Sequence, residues 1–311
     1  MTLVRLSAVW FIFSIIMPDE DSVSIYRVNG IDCSQATDRV AEEEPLEIRV
    51  IFNRGSQRVR RAVSVTMRTP GYDEELAAGF LFTEGLIQEA GQIERITTDQ
   101  DDCNPNVIEV ALKPGVTIEL DRLTRNFYTT SSCGVCGKSS LAALQTQAPW
   151  ALVKNEPQVS FATIHEMPKS LREKQRLFAD TGGLHAAALF DAEGNLLSIR
   201  EDVGRHNAVD RLIGELFLAG KLPAERTILF LSGRVSFELM QKAIMAGIPM
   251  IAAVGAPSSL AVEMARQFHA TLVGFVRNGR FNIYSGPARI FRDQIAEAAV
   301  EATSILHPLT Q

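Results

Sequence analysis

The sequence predicts an α/β protein: a layered α/β domain at the C-terminus, preceded by a smaller α+β subdomain. Three observations carry that prediction. Beyond residue 184, short and nearly continuous apolar runs alternate with amphipathic stretches, the pattern of buried strands covered by helices. Between Val23 and about Leu120, β-branched residues alternate with polar ones, as half-buried strands require. Finally, 46% of the 311 residues are hydrophobic, enough to bury a core in one large domain or two smaller ones.

In chain order, LEIRVIFN (46–53) and RRAVSVTMRT (60–69) read as strands, with Asn53, Arg54, Gly55 and Ser56 as their turn. A helix follows, capped by Asp73, with Leu76, Ala77, Phe80 and Leu81 at helical spacing and Gly85 near its end. QIERITT, VIEVAL and VTIEL read as further short strands. In the second half LHAAALF (184–190) and LLSIR (196–200) form a strand pair. Helices are expected over 206–219, 236–246 and 258–269, with strands TILFLS, IPMIAAV and TLVGFV between and after them, giving the order β-β-α-β-α-β-α-β. The expected division is an extension over 1–20, the α+β subdomain over 21–125 and the α/β domain over 126–311.

The net charge of -6 gives no global basic field, which argues against a nucleic-acid partner held by counterion release and makes any anion site a local one. Four cysteines are too few for a disulfide framework at this length and point to a reducing compartment, the cytoplasm. The apolar run SAVWFIFSIIM (7–17) behind Arg5 is similar to a signal-peptide core. It is too short to span a bilayer, and Pro18, Asp19, Glu20 and Asp21 follow it where a cleavage site would need small residues. No membrane partner is expected.

Two constellations carry chemistry. The first is Thr129-Thr130-Ser131-Ser132-Cys133-Gly134-Val135-Cys136-Gly137-Lys138. A CxxC among glycines and hydroxyls, entering a helix expected near Ser139, favours a thiolate at Cys133 or Cys136, and a thiolate is what attacks a persulfide or disulfide sulfur. Rival readings are weaker. A zinc clip needs a second cysteine pair, and Cys33 and Cys103 do not form one. A thioredoxin-like dithiol would follow a strand opening a βαβ unit. A structural pair would sit among apolar side chains.

The second constellation is spread over four segments where strands end or helices begin: Thr181-Gly182-Gly183-Leu184-His185, Glu201-Asp202-Val203-Gly204-Arg205-His206-Asn207, Ser232-Gly233-Arg234-Val235-Ser236, and Gly255-Ala256-Pro257-Ser258-Ser259. In an open α/β sheet such loops gather at one edge, where ligands bind. His185, Arg205, His206 and Arg234 should converge there, and phosphate is a natural guest for arginines and helix N-termini. Each piece alone has a structural explanation: Ser258 as a helix N-cap, Gly182 and Gly183 as a helix stop, Asp202 as a cap, His185 as a core histidine.

Taken together, TSSCGVCG, TGGLHAAALF, REDVGRHNAVDRLIG, LSGRVSFELMQKA, APSSLAVEMA and TLVGFVRNGRFNIYSG resemble the formate dehydrogenase accessory sulfurtransferases, the FdhD family, from about Asp38 to Arg289. The resemblance implies a fold whose C-terminal part is similar to cytidine deaminase, and a homodimer. It implies sulfur taken from a cysteine desulfurase, carried as a persulfide on Cys133 with Cys136 as the second cysteine, and passed to a molybdenum bis(molybdopterin guanine dinucleotide) cofactor needed by formate dehydrogenase. It assigns the cofactor stretch to Phe275, Val276, Arg277, Asn278, Gly279 and Arg280, with guanine nucleotide as an analogue. The deaminase zinc signature is missing, with no H-x-E followed by P-C-x-x-C, so no metal site is expected. The alternatives are a cofactor or guanine-nucleotide chaperone without covalent chemistry, and a zinc-stabilised interaction module.

Overall fold

The computed structural model describes residues 22–98, 104–118 and 148–293. The chain forms two compact units, one ending at Val40 and one beginning at Ala41. The first holds an antiparallel hairpin of β1 (Ser22–Asn29) and β2 (Asp32–Arg39), turned at Gly30, whose φ of 63° is in the left-handed region. The proposed extension and the boundary at 125 lie outside the described residues.

The second unit contains two main sheets. The smaller has the order β4-β3-β6-β5, from β3 (Glu44–Arg54), β4 (Gln57–Arg68), β5 (Ile93–Thr98) and β6 (Val107–Leu112). β3 and β4 form the expected hairpin, and β6 runs parallel to β3. Leu46, Ile48, Val50 and Phe52 alternate inward on β3, which is what the period-two pattern implies. The third expected short strand, VTIEL, is a correction: 116–118 carry no strand hydrogen bonds, and the rest of it lies outside the described residues.

α1 (Asp73–Thr83) lies between that sheet and the remainder of the unit, which is why Leu76, Ala77, Ala78, Leu81 and Phe82 are all buried. Asp73 is not its N-cap. That position belongs to Tyr72 at φ 52°, and the Asp73 carboxylate instead holds the buried Arg68 guanidinium at 3.0 Å through two oxygens. Gly85, at φ 73°, ends the segment as expected.

The larger sheet has the order β13-β12-β11-β10-β8-β9. β8 (His185–Phe190) and β9 (Leu196–Asp202) form the antiparallel pair; β10 (Ile228–Leu231), β11 (Met250–Ala253) and β12 (Thr271–Arg277) run parallel; β13 (Arg280–Ser285) closes the edge antiparallel to β12. Two short strands, β7 (Val159–Ser160) and β14 (Ile290–Phe291), pair separately. Helices cover both faces. α2 (Phe161–Lys174) buries Ile164, Met167 and Leu171 against Ala186, Ala188, Phe230 and Ala252, while the short α3 (Arg176–Thr181) leads into β8. α4 (Arg205–Leu218), α5 (Phe237–Met245) and α6 (Ser259–Gln267) lie on the other face, against Ala187, Leu229, Ile251 and Leu272. Successive strand residues thus feed opposite layers, which explains the continuous apolar runs. The fold is a mixed α/β one. No helix among the described residues is long and apolar enough to cross a membrane.

α1 and α4 cross at two glycines. A Cβ on Gly79 would lie 1.9 Å from the Asp210 carbonyl oxygen, and one on Gly214 would lie 1.8 Å from that of Glu75. Only hydrogen fits. Gly214→Ala should therefore lower the free energy of unfolding by about 3 kcal/mol or more, the upper range for overpacking. Gly91→Ala, where nothing lies within 4 Å, should change it by under about 0.5 kcal/mol in the same urea titrations.

Candidate functional site

The topology brings one end of every strand of the larger sheet's functional half to a common edge. The parallel β10, β11 and β12 end there, and the antiparallel β8 begins there at His185, opposite Asp202 at the end of β9. The loops that follow are zipped by backbone bonds. Gly255 N–H donates to Gly233 O at 3.0 Å, Val235 N–H to Ala256 O at 3.1 Å, Ser258 N–H to Val235 O at 2.9 Å, and Phe275 N–H to Gly255 O at 3.1 Å. A Cβ at Gly255 would meet Gly233 O at 2.8 Å, so the two loops touch only because that position is glycine. Ser258 caps α6, accepting from Ala261 N–H at 3.2 Å.

The corner between β9 and α4 is fixed from below. Asp202, fully buried, accepts from Gly204 N–H at 2.7 Å, from Asn207 Nδ2 at 3.1 Å and from Thr69 N–H at 3.3 Å, and pairs with the buried Arg211 at 2.9 Å. Arg211 also donates to the Thr69 carbonyl, and Asn207 donates to Met67 O at 2.7 Å. The end of β4 is thereby sewn to the first turn of α4. Asp202, Asn207 and Arg211 are spent on this, leaving Arg205 and His206 half-buried at the edge.

His206 is held: its Nε2 lies 3.4 Å from Ser236 Oγ and 3.9 Å from Glu238 Oε2. The His206 imidazole, aided by Ser236, pulls the Glu238 carboxyl down to about 2 against the opposing effect of burial. Behind this contact, one turn along each helix, Asp210 pairs with Lys242 at 2.9 Å. Thr83 Oγ1 donates to Asp210 at 2.8 Å, and Lys242 reaches Thr83 Oγ1 at 2.9 Å and Glu84 at 3.3 Å. Burial disfavours the Lys242 ammonium, and Asp210 and Glu84 overcome it, so the amine stays protonated above its ordinary range. His185 differs from His206. Burial, then the charges of Arg205 and His206, push its imidazole below the ordinary range.

Of the residues singled out in the sequence, His185, Arg205, His206 and Arg234 lie at this edge, Arg234 exposed in the loop after β10. The stretch from Phe275 to Arg280 is the end of β12, a tight turn and the start of β13. Asn278 and Gly279, at φ 53° and 67°, make that turn, and Arg277 faces Arg280 across it. Phe275 has φ 57°, unusual for an aromatic residue, and the Arg277 guanidinium sits 5.6 Å over its ring. Val276 is fully buried in the core, so it takes no direct part in the rim. Cys133, Cys136, Cys103 and Lys138 lie outside the described residues, whose one cysteine, Cys33, is exposed. A cleft of about 500 Å³ lined by Leu189, Leu216, Lys221, Pro223 and Thr227 is at the opposite end of the sheet and takes no part in this site.

Sequence reasoning missed Ser236 and Glu238 as partners of His206, and the Asp210–Lys242 pair behind them. Glu238 in the first turn of α5 reads in sequence as a complement to the helix dipole.

Fold and edge together define a mixed α/β protein with a basic, histidine-bearing rim. The chain belongs to the FdhD/NarQ family, whose model matches residues 41–291. It is 49% identical over 276 residues to the sulfur carrier protein FdhD of Streptomyces avermitilis, covering 86% of this chain and 94% of that protein. To the protein of the same name from Mycolicibacterium paratuberculosis it is 50% identical, with coverages of 85% and 97%. To that of Saccharolobus solfataricus it is 42% identical, with coverages of 86% and 96%. The crystal structure of a candidate formate dehydrogenase accessory protein from Desulfotalea psychrophila superposes with a TM-score of 0.66 at 26% identity, covering 87% of this chain and 98% of that one.

Two outcomes follow from the geometry. Asp210→Ala leaves the Lys242 ammonium buried without its main partner and should cost about 3–5 kcal/mol in denaturant unfolding. The Glu238 carboxyl is depressed in the folded state, so its contribution to stability is full above the ordinary 4.5 and is lost as pH falls towards about 2. Across that window the gap in unfolding midpoint between wild type and Glu238→Gln should close.

Proposed function

We propose that this chain is a sulfur carrier that accepts sulfur from a cysteine desulfurase as a persulfide on Cys133 and delivers it to the molybdenum bis(molybdopterin guanine dinucleotide) cofactor destined for formate dehydrogenase. The carrying observation is the convergence of His185, Arg205, His206 and Arg234 with the 277–280 hairpin at one sheet edge, in a chain of the FdhD/NarQ family. β8 and β12 are three strand spacings apart in the sheet order, roughly 14 Å, a span that suits an extended dinucleotide better than a single phosphate.

In this reading the Cys133 thiolate attacks the outer sulfur of the desulfurase persulfide. A sulfur–sulfur bond forms on Cys133, the bond to the desulfurase breaks, and the desulfurase cysteine leaves as thiolate. The cofactor is the substrate. Its guanine nucleotide rests on the Phe275 to Arg280 hairpin, where Arg277 and Arg280 meet phosphate oxygens, and the arginines and helix N-termini of the edge hold the remaining phosphates. Cys136 is the second cysteine of the carrier motif. The reading includes a cytoplasmic homodimer and a cytidine-deaminase-like layering of the C-terminal part, in keeping with helices on both faces of the larger sheet.

Mass spectrometry after incubation with desulfurase and cysteine should show about one added sulfur per chain. The adduct should disappear in Cys133→Ala, and that variant should fail to activate formate dehydrogenase. Activation by Cys133→Ala would instead identify a chaperone that binds cofactor without covalent chemistry.

A further inference from the structure

We propose that His185 is the proton acceptor of the sheet edge: the proton of a thiol or persulfide sulfur arriving there passes to its imidazole, leaving the sulfur as the reactive anion. The inference rests on the sulfur-carrier reading and assigns within it a role that the family resemblance leaves open.

The two histidines of the edge are built for different work. His206 is tied by its Nε2 to Ser236 and Glu238. The His185 ring has no hydrogen-bond or ion-pair partner among the described residues and is only half-buried. Space has been left for it. A Cβ on residue 233 would stand 3.3 Å from Nδ1 and 3.6 Å from Cε1, so the glycine lets the ring lie against the loop after β10. His185 lies between the β9–α4 corner and the Gly233 loop, because β8 sits between β9 and β10 in the sheet.

The charged groups around it favour the accepting form. On α4 it faces Arg205 and His206. Its cross-strand partner Asp202 is committed to Arg211, and Glu238 is committed to His206. Glu201 is bound by the amides of Leu177 and Phe178; in sequence, α3 carries Arg176 and Asp180, and Arg234 follows Gly233. Burial, then the electrostatic influence of Arg205 and His206 on α4, disfavours a second proton on the ring. The step balances without a co-reactant. The S–H bond breaks, an N–H bond forms, the electron pair stays on sulfur, no oxidation state changes, and the exposed side of the ring returns the proton to water.

The test is the rate of sulfur transfer from desulfurase and cysteine to the full-length chain, followed across pH. His185→Gln should slow transfer about 100-fold near neutrality, the lower range for loss of a general base. It should converge on wild type as pH approaches about 8.5, where a thiol ionises without help. A purely structural defect would not be rescued in that way. Gly233→Ala, which crowds the ring but keeps it, should show a smaller loss with the same rescue. In the unmodified protein the chain's five histidines allow the ring proton resonances to be titrated by NMR, with His185→Gln giving the assignment. The His185 midpoint should fall below 6.5. A midpoint at or above 6.5, or a variant rate that runs parallel to wild type at every pH, overturns the proposal and leaves sulfur carriage standing. Wild type that takes up no sulfur at any pH overturns both.

Discussion

The contact of α1 with α4 at Gly79 and Gly214 is the constraint on which the second unit depends. Two helices normally stand 8–10 Å apart because their side chains intervene. Here the missing Cβ atoms let each backbone approach the other's carbonyls. A glycine inside a helix costs about 1 kcal/mol relative to alanine, so two of them at one crossing are tolerated only where the approach gains more than that. The gain is visible in what the approach brings together: Thr83 reaches Asp210, Lys242 reaches Thr83 and Glu84, and Arg200 reaches Glu75 at 2.5 Å. Charged groups that would be costly to bury alone are buried as a connected set.

That arrangement divides the segment from Glu201 to Gly214 into two kinds of residue. Asp202, Asn207, Asp210, Arg211 and Gly214 bind the smaller sheet and α1 to the larger sheet, whereas Arg205 and His206 are turned to the rim. A long polar run opening a helix is easily taken as wholly catalytic. Here most of its hydrogen-bonding capacity is used inside the protein to fix where its first turn points.

Much of this was legible in the sequence. Periodicity placed α4, α5 and α6 within two residues at every end, and continuous apolar runs found β10, β11 and β12, because burial on both faces leaves that mark. Gathering His185, Arg205, His206 and Arg234 required only the rule that such loops share an edge. What escaped depended on contacts between distant segments or on local exceptions. Pro168 inside α2 interrupts the pattern that would have announced that helix. β13 begins straight after the Asn278-Gly279 turn, inside a stretch read as a binding motif. Asp73 looked like a cap because no local rule says that Arg68 would claim it. Gly79 and Gly214 carry no signal until each is seen against the other.

His206 and Gly214 lie on the same rigid helix, eight residues or about 12 Å apart. Whatever settles on the rim therefore pulls on the same rod that joins the halves of the unit. By mass action, a guest bound one hundredfold above its dissociation constant adds about 2.7 kcal/mol to the folded state. The melting temperature of this unit thus becomes a gauge of occupancy.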